Sequence, residues 1–233
     1  PYIMGHRGNL DECPENTLAS FRRALAAGAD IIETDVHLSA DGVFMLIHDA
    51  TLDRTTNGTG PVATRTLAEL RTFSASYGRP EFEAERIPTL QELFEIIHPD
   101  TIVALELKTD RFLEPEVCRR FVDQIRAAGM LQRVVMLSFS LAHVQAVQAA
   151  APDVPVGFIT MSRLLPKAGA DLLGPFFPLL FLNPFYVWLA HRSGQPVAPL
   201  DPTPDSRLWY YRLLGCDAIL TNNPGMTRRA LGR

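Results

Sequence analysis

The stretch that decides the fold is Gly5-His6-Arg7-Gly8, which directly follows the short apolar run Tyr2-Ile3-Met4. The apolar run predicts a β-strand, so His6 and Arg7 lie where this strand ends and its loop begins. Enzymes built as α/β barrels keep their catalytic residues at this end of the strands. The sequence therefore predicts that His6 and Arg7 lie at the mouth of a barrel.

Residues 30–36 predict a second strand with two acids on one face. Successive side chains of a strand point to opposite sides, so Glu33 and Asp35 share a side. The neighbouring Ile32 and Val36 indicate that this strand is buried. Two adjacent carboxylates would repel each other there and would be strongly desolvated. The pattern therefore predicts a bound divalent metal ion.

Length and composition fit one α/β barrel. The chain has 233 residues, of which 47% are hydrophobic and 21% charged, and this is enough for one large core. We expect a single domain over residues 1–233. The formal net charge of −4, without a block of Lys and Arg, predicts no nucleic-acid partner. The odd, widely spaced Cys13, Cys118 and Cys216 match no disulfide or zinc pattern, and we interpret them as thiols of a reducing, cytoplasmic compartment.

The first half of the chain continues with a helix and a strand. Residues 17–27 have a helical apolar stripe that Gly28 ends. Residues 43–47 follow an Asp-Gly turn and predict a strand. This strand delivers His48 to the same rim as His6.

Residues from about 51 to 86 indicate an insertion on the barrel, because they are rich in loop-forming residues and acids. Thr89-Leu90-Gln91-Glu92 is a capping-box pattern that begins the next helix. A strand predicted at 101–107 carries Glu106, and Lys108 follows on the same side. The site residues of the first half are thus expected at neighbouring strand ends.

The later half repeats the rhythm of strands and helices. We predict strands at 134–137, 154–159 and 218–220, and helices at 142–150 and, capped by Thr203, at 204–214. Seven or eight βα units fit this length. Their alternation predicts a parallel sheet.

Taken together, the motifs of the first half resemble the glycerophosphodiester phosphodiesterase family. Any one of them alone would be a weak signal, but they follow one another in order along the chain. They are His6-Arg7-Gly8, Pro14-Glu15-Asn16-Thr17, Glu33-x-Asp35, Asp41-Gly42, His48-Asp49, Arg54-Thr55-Thr56, Ile87-Pro88-Thr89-Leu90 and Glu106-Leu107-Lys108. The resemblance implies a (β/α)8 TIM barrel with a small insertion after the second strand region, at residues 51–86.

The resemblance also implies the role of each candidate site residue. By position, the metal-binding acids are Glu33, Asp35 and Glu106, the general acid and base are His6 and His48, and the phosphate-holding groups are Arg7 and Lys108. Oxygen ligands alone favour Mg²⁺ or Ca²⁺ over zinc. The implied reaction is hydrolysis of a small-molecule glycerophosphodiester to sn-glycerol 3-phosphate and an alcohol. Histidines transfer the protons, and cations stabilise the charge that builds on phosphorus.

Two features leave the substrate open. Where the family commonly has Trp-Thr-x-Asn, this chain has Leu200-Asp201-Pro202-Thr203, and Asn222 stands where an Asp is common. The uncharged segment 172–190 contains prolines that would break a membrane-spanning helix, so we predict no transmembrane segment. We interpret it as a buried strand at 179–182 with a flanking helix, or as an apolar segment beside the site that accommodates an acyl chain and makes peripheral contact with lipid.

Two other functions remain alternatives to the hydrolase. One is a lysophospholipase D-type enzyme that hydrolyses or cyclises lysophospholipids, which the apolar segment and the missing Trp favour. The other is a non-catalytic phosphodiester-binding protein. The complete sets of acids and histidines count against this second alternative.

Overall fold

The chain folds into a parallel sheet covered by helices, and the computed structural model describes residues 1–233. The strands are β1 (Tyr2–Gly5), β2 (Ile31–Leu38), β3 (Phe44–Leu46), β4 (Ile102–Leu107), β5 (Val134–Ser138), β6 (Val156–Thr160), β7 (Leu172–Pro175) and β8 (Ala218–Thr221). The helices are α1 (Leu18–Ala26), α2 (Leu67–Leu70), α3 (Leu90–Ile96), α4 (Pro115–Ala127), α5 (Leu141–Ala150), α6 (Pro178–Leu182), α7 (Tyr186–Arg192), α8 (Leu208–Leu214) and α9 (Pro224–Ala230). No helix combines the length and the hydropathy that crossing a membrane requires.

Seven strands form one curled parallel sheet in the order β7-β6-β5-β4-β2-β1-β8. The segment 196–200 lies between the two edge strands of this sheet. Ala198 donates its N–H to the carbonyl of Leu173 in β7, and Asp217, just before β8, donates to the carbonyl of Val197, both at 2.9 Å. The segment therefore occupies the eighth strand position, and the predicted (β/α)8 barrel is confirmed.

Strand β2 shows how the sequence positions the site. All eight of its residues are buried, but alternate residues meet different surroundings. Ile32 and Val36 pack in the large hydrophobic cluster under the helices, whereas Ile31 belongs to a smaller cluster of residues from the barrel strands. Glu33 and Asp35 lie on the side of Ile31, so they point into the barrel above an apolar floor.

The insertion packs at the mouth and has its own small core. Leu52, Val62 and Leu70 are fully buried there and contact a hydrophobic cluster that includes Met45 of β3. The strand predicted at 43–47 is therefore present as β3. It pairs antiparallel with the end of β2 and lies outside the barrel.

Two predictions for the later half are wrong. Residues 179–182 belong to α6 and not to a strand, because Pro178 begins a helix at its first position and the strand β7 precedes it. Thr203 caps no helix. A 3₁₀ turn at Asp205–Arg207 follows it, and α8 begins only at Leu208.

Candidate active site

Three acids meet at the mouth of the barrel. Glu33 and Asp35 come from β2 and Glu106 from β4, and the Cα atoms of Asp35 and Glu106 are register partners in the sheet. One carboxylate oxygen of each residue lies within 4.8 Å of the others. The exposed fractions are only 4%, 1% and 8%, in chain order. Burial at this separation makes three negative charges costly without a cation.

The electrostatics of the acids follow from their neighbours. Burial, and then the charges of Asp35 and Glu106, raise the pKa of Glu33 well above its usual range. Burial and the charge of Asp35 also raise the pKa of Glu106. Burial alone would raise the pKa of Asp35 too, but Arg7 and Lys108 hold it below its usual value. The cluster is therefore short of positive charge.

The acid cluster fits a divalent metal ion. Oδ1 of Asp35 is buried and has no hydrogen-bond partner, which is costly for a carboxylate oxygen. The other ligands that the cluster offers are carboxylate oxygens of Glu33 and Glu106. A hard cation such as Mg²⁺ or Ca²⁺ prefers oxygen donors of this kind.

The two basic candidates border the acids. The backbone N–H of Arg7 donates to Glu33 at 2.9 Å, while its guanidinium donates to Glu15 at 2.8 Å and lies 3.3 Å from Asp35. Nζ of Lys108 donates to Glu106 at 2.8 Å and lies 3.6 Å from Asp35. Both cations are therefore held beside the acid cluster.

His6 follows β1 and shares a pocket with Glu33 and Glu106. Its Nδ1 lies 2.7 Å from Oδ1 of Asn222, an acceptor, so Nδ1 carries the proton and Nε2 is left as the acceptor. Burial, and then the charge of Arg7, lower the pKa of His6 to about 4. His6 is therefore neutral near pH 7.

His48 follows β3, and the backbone holds it at the mouth. Ile47 donates its N–H to the carbonyl of Asp35, and Nδ1 of His48 lies 2.6 Å from Asp49. Arg54 donates to Asp49 at 2.7 Å, and this hydrogen bond, together with that of His48, holds the pKa of Asp49 far below its usual range. Asp49 therefore remains an ionised acceptor for His48.

The structure adds residues to which the sequence analysis gives no role. Arg54 also donates to both carboxylate oxygens of Glu15, each at 2.8 Å, and Glu15 accepts from Arg7. A continuous chain of hydrogen bonds and ion pairs thus joins His48 to the acid cluster. Asn16 lies next to Glu15 and donates to Asp35 at 2.9 Å.

The added residues leave different signals in the sequence. Glu15, Asn16 and Arg54 all lie in the motifs that carry the family resemblance, and this position in the motifs could have indicated a role at the site. Asn16 has φ of 54°, a left-handed conformation that Asn tolerates better than most residues. Asn222 lies 216 residues from His6, and no local pattern connects the two.

The chain matches a known family over nearly its whole length. The model of the Glycerophosphoryl diester phosphodiesterase family matches residues 6–226. The glycerophosphodiester phosphodiesterase of Caldanaerobacter subterraneus subsp. tengcongensis is 35% identical over 95% of this chain and 94% of its own. That of Bacillus altitudinis is 30% identical over 95% and 94%.

Solved structures agree with the sequence relatives. The glycerophosphodiester phosphodiesterase of Agrobacterium tumefaciens superposes with a TM-score of 0.85 at 29% identity, covering 97% of each chain. An Oleispira antarctica phosphodiesterase, solved in complex with the product sn-glycerol-3-phosphate, has a TM-score of 0.86 at 28% identity, covering 100% of this chain and 97% of its own. The resemblance drawn from the motifs is confirmed: the chain belongs to the glycerophosphoryl diester phosphodiesterase family.

Proposed function

We propose that this protein is a metal-dependent phosphodiesterase that hydrolyses glycerophosphodiesters to sn-glycerol 3-phosphate and an alcohol. The observation that carries the proposal is the buried cluster of Glu33, Asp35 and Glu106, flanked by cations and histidines at the mouth of the barrel. The product named for the Oleispira antarctica relative supports the same reaction.

In this proposal Glu33, Asp35 and Glu106 hold a divalent cation, Mg²⁺ or Ca²⁺. The ion would supply positive charge beside the phosphate. Arg7 and Lys108 hold the phosphate oxygens, and their charges matter most when negative charge builds on phosphorus during attack. The chain of hydrogen bonds through Glu15 and Arg54 fixes the orientation of Arg7 before the substrate arrives.

The two histidines divide the proton transfers. His6 is neutral and has a free Nε2, so we assign it to accept a proton. His48 has an ionised carboxylate on Nδ1, an arrangement that holds the ring in one orientation at the mouth. We therefore assign His48 to donate a proton to the leaving oxygen.

A second candidate substrate is a lysophospholipid. Leu200 stands where the family commonly has a Trp, and it lines a small pocket together with His6, Glu33 and Glu106. Leu137 and Ile159 also line this pocket, so apolar atoms lie directly beside the reacting groups. An acyl-bearing substrate fits such walls better than a fully polar one.

A product assay distinguishes the candidates. The purified protein is incubated with glycerophosphocholine, glycerophosphoethanolamine or lysophosphatidylcholine, with Mg²⁺, with Ca²⁺ and with EDTA. Release of sn-glycerol 3-phosphate from the first two, abolished by EDTA, supports the main proposal. Release of choline from lysophosphatidylcholine alone moves the assignment to the lysophospholipid. If none of the three is turned over, the protein is a binding protein and the proposal fails.

A further inference from the structure

Exposed large apolar side chains gather on one arc of the barrel mouth. They follow the carboxyl ends of β6 and β7, the same end of the barrel that carries the acid cluster. We call this surface the apolar rim, and its residues are Met161, Leu164, Leu165, Phe181, Leu182 and Phe185. The rim therefore borders the entrance to the proposed active site.

The exposure of the rim is unusual for a soluble surface. Leu182 is 72% exposed, Phe185 66% and Leu165 63%. Single exposed apolar residues need no explanation, but six in two adjacent segments form a patch. Patches of this kind mark contacts with proteins or membranes.

The rim is held in place by the residues beneath it. The side chain of Asn183 donates to the carbonyl of Leu164 at 2.7 Å and so joins the two segments. The ring of Phe181 stacks on Tyr210 with 4.5 Å between centroids, and the Tyr210 hydroxyl donates to the carbonyl of Leu180 at 2.8 Å. The apolar side chains are therefore presented by a fixed framework.

The one charged side chain within the rim is positive. Between residues 154 and 200 the chain has one acid, Asp171, and this residue lies before β7, at the opposite end of the barrel. Arg163 lies within the rim itself, just after β6. A basic residue beside exposed Phe and Leu is typical of surfaces that bind anionic lipid.

The remaining arc of the mouth has a different character. The insertion at 51–86 presents exposed charged residues of both signs, among them Asp53, Arg54, Glu81 and Glu83. The mouth is therefore amphipathic, with an apolar, basic side over β6 and β7 and a polar side over β2. Such an asymmetry fits a planar boundary between water and lipid.

We propose that the apolar rim inserts into the surface of an anionic phospholipid bilayer and turns the barrel mouth toward the membrane. The rim residues enter the acyl boundary, and Arg163 contacts lipid phosphates. This inference goes beyond the proposed reaction and does not depend on it, because binding to vesicles requires no turnover.

Vesicle co-sedimentation tests the proposal. Wild-type protein is mixed with vesicles of phosphatidylcholine alone or of phosphatidylcholine with phosphatidylglycerol. Because Arg163 faces the lipid, binding to the anionic vesicles should be about fivefold tighter at low salt. Leu182→Glu and Phe185→Glu should each weaken this binding by about tenfold or more. Each replaces an apolar side chain that would enter the lipid with a charged one.

Tyr2→Glu is the matched control. Tyr2 is 58% exposed, but it begins β1 at the opposite end of the barrel, so this variant should bind vesicles like the wild type. Each variant must keep the thermal midpoint of the wild type. Equal vesicle binding by the wild type and both rim variants, or no binding at all, overturns the proposal. Sedimentation showing a dimer that Leu182→Glu dissolves also overturns it, because the rim would then cover a second copy of the chain.

Discussion

The variant Glu33→Gln tests whether Glu33 binds a metal ion or serves only the structure. Gln has nearly the same shape, and its amide oxygen can still accept the hydrogen bond that Arg7 N–H donates to Glu33 at 2.9 Å. The substitution therefore removes a charge from the acid cluster with little change in packing. Metal binding and metal-free stability should respond in opposite directions.

The size of both effects follows from the structure. A ligand present at about 100 times its dissociation constant stabilises the fold by about 2.7 kcal/mol, which for a chain of this size raises the thermal midpoint by roughly 5–11 °C. Glu33→Gln should lose most of this increase. Without metal, the variant should be at least as stable as the wild type, because burial and the charges of Asp35 and Glu106 make ionised Glu33 unfavourable and raise its pKa.

Differential scanning calorimetry with EDTA, Mg²⁺ or Ca²⁺ measures both quantities. Glu15→Gln is the matched control, since Glu15 is also buried but lies outside the acid cluster. This variant should keep the metal-induced increase in thermal midpoint. Its free energy of unfolding should fall by on the order of 1–3 kcal/mol, because Arg7 and Arg54 lose a charged hydrogen-bond acceptor. The reasoning is refuted if Glu33→Gln retains the full metal-induced increase, or if the metal-free variant unfolds several degrees below the wild type.

Three further predictions concern the groups around the acids. His6→Ala and His48→Ala should each lower kcat by about 10²-fold at an unchanged thermal midpoint. The double variant should be little worse than the worse single variant. If steady-state kinetics show that the two losses multiply, the histidines do not act as a pair. Lys108→Met should lower kcat/KM for a glycerophosphodiester by about 10²-fold while the midpoint of the metal-loaded protein barely moves; an unchanged rate would remove Lys108 from the site. Burial raises the pKa of Glu15, but Arg54 and Arg7 bring it below 4.5, so its carboxylate stabilises the fold above that pH and ceases to do so as the pH falls through the lowered value. In urea titrations, the stability difference between the wild type and Glu15→Gln should therefore be largest at neutral pH and shrink in acid, and a constant difference would contradict this.

The parts of the fold that local rules govern could be predicted from the sequence. Strand alternation decides that Glu33 and Asp35 face the barrel interior, and burial of β2 confirms the strand. The capping box predicted at Thr89 and Glu92 is present, with both reciprocal hydrogen bonds formed. In each case one short pattern admits one local structure.

Other parts depend on contacts that no short pattern records. The segment 196–200 contains Pro196 and Pro199 and does not resemble a strand, yet pairing with β7 and contacts to β8 hold it in the eighth position. The uncharged run at 179–182 fits a buried strand or a helix equally well, and only Pro178 at the first turn distinguishes them. The sequence predictions include neither α4 nor α9, although α4 has an apolar stripe with Phe121 fully buried.

The charges of the site connect its separate parts. Three cations, Arg7, Arg54 and Lys108, face five acids, Glu15, Glu33, Asp35, Asp49 and Glu106, so the fully ionised site has a formal charge of −2. Such a site repels a phosphodiester, which is itself an anion. A divalent cation would bring the site to neutrality. It would also compete with the ammonium of Lys108 for Glu106, leaving hydrogen-bond donors of Lys108 free for phosphate oxygens. Binding of the metal should therefore strengthen binding of the anionic substrate, and the two should be cooperative.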